Sequence, residues 1–311
     1  MAQRLLAAAA ALLLLAGCAT QTRALLAAPR SGPHQQELNS TPFYAQERYQ
    51  CGPAALAMLL GAAGIDTSPE ALVHEVYLPG REGSLQIELQ AAGRHHGALT
   101  APIESRLDAL LAELDAGHPV LVLQNLSLPI APMWHYAVVI GYDIDSGEVI
   151  LRSGTTRRMT MPLSTFEHTW SRSGFWGIVA LAPGQLPATT KLTALQAALI
   201  AYEKEAPPHS AQLTYRAAQQ RWPDTLALQL GLGNSAYAGG DRAAAAEAFR
   251  SAAAAHPDNG AAFNNLAVVL GELGQLDEAR AAAQTAIGLG GPWHDEAQAT
   301  LRALQRPAVS H

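Results

Sequence analysis

The sequence predicts an α+β domain, with helices packed on an antiparallel sheet, followed by an all-α array of helix pairs. Its 311 residues, 49% hydrophobic and 15% charged, suit two folded domains. In the first half a group of helical segments precedes a group of strands, which is typical of α+β domains rather than of alternating βαβ folds. In the second half, alanine-rich helices recur at a fixed spacing beyond a segment rich in Pro, Gly and Thr at 183–191.

The first 18 residues have the pattern of an export signal. Arg4 precedes an apolar run at 5–15 that is too short to span a membrane comfortably. The run ends in Leu-Ala-Gly-Cys18, which resembles a bacterial lipobox, and that resemblance implies a signal peptide at 1–18 and lipid on Cys18. Ala19 in place of Asp implies sorting to the outer membrane of a Gram-negative cell, facing the periplasm. The alternative is an ordinary signal peptide with a chance cysteine.

Residues 19–40 are predicted to form a flexible tether. The segment is largely polar and is interrupted by Pro29, Gly32 and Pro33. Such a composition favours an extended linker between a lipid and a folded domain. The folded domain is therefore expected to begin near residue 41.

The second cysteine lies where an extended segment turns into a helix. Pro53 suits a first helical position, and residues 54–63 are mostly strong helix formers. Cys51 is thus expected at a helix N-terminus, where the helix dipole and free amides stabilise a thiolate nucleophile. The only other cysteine is the predicted lipid carrier Cys18, so no disulfide is expected; the alternative for Cys51 is a buried, inert thiol. Gln46 could donate its side-chain amide to an oxyanion.

An imidazole follows at the start of a predicted strand. His135 comes directly after Trp134 and a loop that contains Pro129 and Pro132. The ring can therefore project from the edge of a sheet towards another element. Helices are predicted at 54–63, 84–95 and 106–116, and from Ser68, and strands at 119–124, 135–142, 147–152 and 175–181.

Gln46, the run Cys51-Gly-Pro and His135 followed by an apolar strand and Gly-Tyr together resemble the bacteriocin-processing peptidases that cleave double-glycine leaders. The resemblance covers residues 40–182. It implies a papain-like fold at 41–182 and a cysteine peptidase acting on a peptide or protein substrate. In that family the cysteine is the nucleophile, the histidine the base, and the glutamine shapes the oxyanion hole.

One position departs from the family. The aspartate that orients the histidine would fall near Ser153 and Gly154, where this chain has no carboxylate. Ser153 can still accept an N–H bond, although it stabilises an imidazolium less well than a carboxylate does. Asp143 and Asp145 lie nearby and are interpreted as turn residues, with an orienting role as the alternative. A peptide-binding module that has lost turnover, or a purely structural lipoprotein, therefore remains open.

The second domain is predicted at 192–306, after a linker at 183–191. Pro223 and Pro257 are 34 residues apart, as are Gly240 and Gly274, and this period is typical of tetratricopeptide helix pairs. Such arrays bind a partner protein or peptide. A generic alanine-rich bundle is the alternative.

Charge and motifs limit the remaining classes of partner. The formal net charge is −6 and no basic cluster is present, which argues against a nucleic-acid surface. The adjacent His95 and His96 end a predicted helix and are interpreted as capping residues rather than metal ligands. No cofactor or metal is predicted.

Overall fold

The computed structural model of the protein describes residues 19–30, 32–45 and 50–306. The described chain forms two compact units, and each is treated separately below. The first holds the chain up to Ala182 together with Pro187–Ala198, and the second holds Pro183–Leu186 and the chain from Leu199 onwards. Among the described residues, no helix combines the length and apolarity that crossing a bilayer requires.

Helices and a single large sheet make up the first unit. Its helices are α1 (Thr20–Ala27), α2 (Cys51–Ala62), α3 (Pro69–Val76), α4 (Gln86–His95), α5 (Leu107–Asp115) and α6 (Leu163–Ser171). Its strands are β1 (Gln35–Glu37), β2 (Tyr77–Leu78), β3 (Gly83–Ser84), β4 (Leu99–Pro102), β5 (Val120–Asn125), β6 (Trp134–Asp143), β7 (Glu148–Ser153), β8 (Thr156–Pro162) and β9 (Gly177–Leu181). Most helices precede most strands of the main sheet, as predicted, although β1 precedes α2, β4 precedes α5 and α6 lies between β8 and β9.

All pairings in the main sheet are antiparallel, as predicted. The strand order is β4-β9-β5-β6-β7-β8, and β1 pairs with the C-terminal part of β6. β2 and β3 form a separate two-stranded hairpin. β6 is thus a central strand, and His135 lies near its N-terminal end.

Helix α2 is the buried centre of this unit. Its residues from Gly52 to Leu60 are all buried, and its apolar side chains pack against β5, β6 and β9. A helix that is apolar on every side is stable only when it is surrounded by protein. Cys51 begins this helix and is therefore held in place by the core itself.

The predicted flexible tether at 19–40 is wrong, because this segment contains α1 and β1 and both pack on the first unit. The buried carboxylate of Glu167, on α6, accepts hydrogen bonds from the amides of Gln21 (3.0 Å) and Thr22 (2.7 Å). The side-chain oxygen of Gln21 in turn accepts from the amide of Leu107 (2.7 Å), at the first turn of α5. Free amides at two helix N-termini are thereby satisfied, which fixes α1 to the domain.

Strand β1 can pair with β6 because Gly141 has no side chain. A Cβ at Gly141 would lie 2.3 Å from the carbonyl oxygen of Gln36, closer than any real contact of that kind. Only a residue without a side chain lets β1 approach β6 at this point. Beside it, Arg30 forms an ion pair with Asp115 at 2.6 Å and hydrogen-bonds the hydroxyl of Tyr142 at 2.5 Å.

The predicted linker also differs from the structure. The buried carboxylate of Glu113 accepts hydrogen bonds from the amides of Ala188 (3.0 Å) and Thr189 (2.9 Å). These bonds tie residues 187–190 to the first unit, so only the beginning of the segment 183–191 lies outside it. The boundary predicted at residue 192 shifts into helix α7 (Leu192–Glu203), between Ala198 and Leu199.

Antiparallel helix pairs follow in the second unit, which is all-helical as predicted. Its helices are α8 (Pro208–Arg221), α9 (Leu226–Ala238), α10 (Arg242–Ala255), α11 (Gly260–Glu272), α12 (Leu276–Leu289) and α13 (His294–Leu304). Small residues let these helices pack closely: a Cβ at Gly233 would lie 2.4 Å from the ring of Phe249, and one at Gly231 would lie 2.3 Å from Tyr215. Alanines, together with Leu266, Val269 and Leu270, form much of the remaining core.

Candidate active site

The predicted nucleophile lies at the N-terminus of α2, as the sequence indicates. Cys51 is the first residue of the helix, Gln50 is its cap, and the thiol is half-buried. Gly52 packs against Ser84 of β3, since a Cβ at this position would lie 2.3 Å from the Ser84 Oγ. The first turn of α2, beside the thiol, therefore packs directly against the β2–β3 hairpin.

The predicted base and its partner meet across two neighbouring strands. His135 is the second residue of β6, opposite Gln124 of β5, and Ser153 ends β7. The pairing of Val138 with Arg152 places His135 and Ser153 on the same face of the sheet. The Ser153 Oγ lies 2.8 Å from the His135 Nε2, and the serine is buried. Nδ1 is then the ring nitrogen left to exchange a proton with a thiol.

Cys51 and His135 line one cleft of about 850 Å³. This volume falls within the ~300–1,000 Å³ of small-molecule and cofactor sites. The cleft is bordered by the β2–β3 hairpin, by the start of β6 and by the segment after α6, and its other lining residues are Arg81, Glu82, Gly83, Ser84, Leu85, Gln86, Leu123, Met133, Trp134, Tyr136, Gly154, Arg172 and Ser173.

Burial raises the pKa of the thiol and lowers the pKa of the imidazole, so it favours the neutral form of both groups, in contrast to the thiolate expected from the sequence. Desolvation raises the pKa of the Cys51 thiol above its ordinary value, and the backbone amides of Tyr136, Gly52 and Cys51 offset only part of this rise. Desolvation also lowers the pKa of His135. Both shifts have one cause, since a charged group loses its hydration inside the protein. The helix N-terminus alone therefore does not create a thiolate here.

Tyr136 connects the two sides of the cleft, and the sequence alone does not reveal it. Its hydroxyl donates to the carbonyl oxygen of Ser84 at 3.1 Å, and its amide is directed at the Cys51 sulfur. Burial, together with the charge that the thiol carries when ionised, raises the pKa of the Tyr136 hydroxyl, so it remains a donor at neutral pH. An alternating apolar strand that follows a histidine gives no sign that one of its residues contacts the thiol.

Three predicted functional positions have other outcomes. Gln46 and Cys18 lie outside the described residues. Asp143 has the predicted turn role, because its Oδ1 accepts the amides of Asp145 (2.9 Å) and Ser146 (3.1 Å). The described part of the chain contains no group of three His, Cys, Asp or Glu side chains arranged to hold a metal ion.

Two parts of the chain match known families. Residues 38–178 match the family described as "Peptidase_C39 like family", and residues 230–292 match a family described as "Tetratricopeptide repeat". No curated protein matches the chain.

Two solved structures similar to part of this chain are described as peptidases. One is a C39-like peptidase from Bacillus anthracis, 20% identical, with a TM-score of 0.40, covering 47% of this chain and 97% of that one. Another is a double glycine motif protease from an AMS/PCAT transporter in complex with the leader peptide, 17% identical, with a TM-score of 0.34, covering 45% of this chain and 89% of that one. Residues 38–178 of the chain are thus similar to the Peptidase_C39 like family, and residues 230–292 are similar to tetratricopeptide repeats.

Proposed function

We propose that the first unit is a cysteine peptidase that hydrolyses peptide bonds with Cys51 and His135. The observation that carries this proposal is the pair of a helix-terminal cysteine and a serine-oriented histidine on the walls of one cleft, within a domain of a peptidase family. A thiol alone is a common buried residue. A thiol and an oriented imidazole in one cleft are the parts that acyl transfer requires.

The chemistry proceeds by transfer of an acyl group to sulfur. The Cys51 sulfur attacks the carbonyl carbon of the peptide bond while its proton passes to His135 Nδ1. The amide of Cys51 and the side chain of Gln46 stabilise the oxyanion. His135 then gives the proton to the leaving amine, and water, deprotonated by the same ring, hydrolyses the thioester and restores the thiol.

Because burial disfavours the charged forms of both groups, we expect the proton transfer to accompany attack instead of preceding it. Ser153 orients the His135 ring but carries no charge to balance an imidazolium. Each proton transfer to the ring therefore has a higher free-energy barrier than it would beside a carboxylate. A slow peptidase is the expected result. The burial of Cys51 and His135 and the serine in place of a carboxylate also favour a second candidate. This candidate is a peptide-binding domain without turnover, in which the cleft binds the peptide and the sulfur does not react.

Cleavage of a peptide mixture separates these candidates. The full chain is incubated with a mixture of synthetic decapeptides, and new termini are identified by mass spectrometry. Cleavage that disappears in Cys51→Ala and His135→Ala supports the peptidase. Peptides that bind unchanged, equally to the wild type and to Cys51→Ala, support the binding domain.

The proposed location is the periplasmic side of a bacterial outer membrane, with lipid on Cys18. Its support is the lipobox-like sequence before Ala19. The repeats would then recruit a protein partner or substrate beside the membrane, as such arrays commonly do. Incorporation of labelled fatty acid in the wild type and its loss in Cys18→Ser is the expected result; equal labelling in both would contradict it.

A further inference from the structure

One loop of the first unit exposes an unusual amount of apolar surface. The segment 126–134, here called the apolar loop, comprises the connection from β5 to β6 and the first residue of β6, and it contains no charged side chain. Its large apolar side chains are all exposed, and Ile130, near the tip, is 91% exposed; the others are Leu126, Leu128, Met133 and Trp134. Single exposed apolar residues are ordinary, but a contiguous set of this kind marks an interaction surface.

The loop is held in shape at its base. The Asn125 Oδ1 accepts the amides of Ser127 (3.0 Å) and Met133 (2.9 Å), one from each side of the loop. The Arg172 guanidinium donates to the carbonyl oxygens of Asn125 (2.9 Å) and Ser127 (2.7 Å). The apolar side chains are therefore presented by a preorganised base, which reduces the entropy lost on binding.

The start of α1 is attached to the same helix as this loop. Glu167 of α6 holds the amides of Gln21 and Thr22, and Arg172, which follows α6, holds the base of the loop. Glu167 and Arg172 are five positions apart in sequence, or about 8 Å along the helix axis. Ala19, which directly follows the predicted lipid carrier Cys18 in sequence, is thus the N-cap of a helix that is attached to the same element as the base of the apolar loop.

We propose that the apolar loop inserts into the interfacial layer of a phospholipid membrane and, with the lipid on Cys18, holds the cleft at the membrane surface. Uncharged apolar residues flanked by a tryptophan are the side chains that the interface accepts. Met133 and Trp134 also line the cleft, which brings its entrance to the lipid boundary. The inference rests on the anchoring proposed for Cys18 and is independent of the chemistry of Cys51.

The protruding part of the loop argues against the peptide substrate as its sole occupant. Leu128 and Ile130 are more than half exposed, and neither belongs to the lining of the cleft. A substrate held at Cys51 would leave them in water. An apolar surface of a partner protein is the remaining rival, and the test below distinguishes it.

Fluorescence quenching by brominated lipid tests the insertion. The full chain is reconstituted into vesicles of phosphatidylcholine and phosphatidylglycerol, with and without brominated phosphatidylcholine, after flotation establishes that it is bound. The difference between wild type and Trp134→Phe isolates the emission of Trp134. We expect brominated lipid to quench this component, and the double variant Leu128→Ser, Ile130→Ser to lose the quenching. Leu276→Ser, which removes an exposed leucine of the second unit, is the matched control and should leave it unchanged.

Two outcomes overturn the inference. If the chain floats with the vesicles but Trp134 is not quenched, the chain is anchored without insertion of the loop, and only the loop proposal fails. If the double variant then also loses capture of a protein partner, the loop is a protein-binding surface. A chain that does not float removes both the loop proposal and the anchor. Neither outcome bears on the peptidase, which is measured through Cys51.

Discussion

The Ser153 Oγ lies 2.8 Å from the His135 Nε2 and so occupies the position at which the family resemblance of the sequence predicts a carboxylate. A neutral partner orients the ring as a carboxylate does, but it adds no charge to stabilise the protonated ring. The reactivity of this site therefore depends on how well the imidazole is held.

Removal of the serine hydroxyl should slow the reaction modestly. Ser153→Ala deletes one hydrogen bond worth about 1 kcal/mol, or a factor of about five in rate. Ser153→Asp should accelerate turnover by stabilising the imidazolium. The rate of acylation of Cys51 by a peptide electrophile measures both effects, and Ser164→Ala, an exposed serine on α6, is the control. An unchanged rate in Ser153→Ala would show that the bond does not orient the ring during reaction.

The alkylation of Cys51 should depend on pH with a midpoint above that of an ordinary cysteine. Burial raises the pKa of this thiol, so the rate with iodoacetamide should climb only above the ~8.5 of a free thiol. Since the folded state retains its proton above the unfolded pKa, the free energy of unfolding should fall as pH rises through that range. Cys51→Ala should lack this alkaline loss. An alkylation midpoint well below 8.5 would instead indicate a thiolate–imidazolium pair.

A side chain at Gly141 should displace β1. A Cβ there would meet the Gln36 carbonyl, which is backbone and cannot rotate away. Gly141→Ala should therefore lower the free energy of unfolding by about 1–3 kcal/mol, as overpacking of a core does. Chemical denaturation measures the change. Gly80→Ala is the matched control, because a Cβ at that position would have no atom within 4 Å and the φ of Gly80 is not positive. Equal stability of both variants would show that β1 is not docked in solution.

Local sequence patterns predict the positions of Cys51 and His135 in their helix and strand. The helix after Cys51 follows from Pro53 and a run of helix formers, and the position of His135 follows from the proline-rich loop before an apolar strand. Strand β8 is missing from the sequence prediction because it is an exposed strand containing Arg157 and Arg158, whose charged side chains are uncommon in strands. Helix α6 is also missing from that prediction.

Long-range contacts account for the predictions that are wrong. The segment after Ala19 is ordered by Glu167, 146 residues away from Gln21, and no local pattern indicates that pairing. Likewise the shift in the pKa of Cys51 arises from burial beneath elements distant in sequence, whereas the helix N-terminus, which is local, suggests the opposite sign. The composition of 19–40 is typical of a tether, but composition does not reveal an acceptor elsewhere in the fold.

Reaction of the full chain with a peptide bearing a thiol-reactive group tests the proposed chemistry most directly. The extent of covalent modification is followed by mass spectrometry in wild type, Cys51→Ala and His135→Ala, with His168→Ala on α6 as the control for loss of a histidine. The proposed function predicts modification at Cys51 alone, none in Cys51→Ala, and a rate lowered by about 10²-fold in His135→Ala, the lower end of general acid–base effects. Modification of Cys51 at the same rate with and without His135 would contradict it.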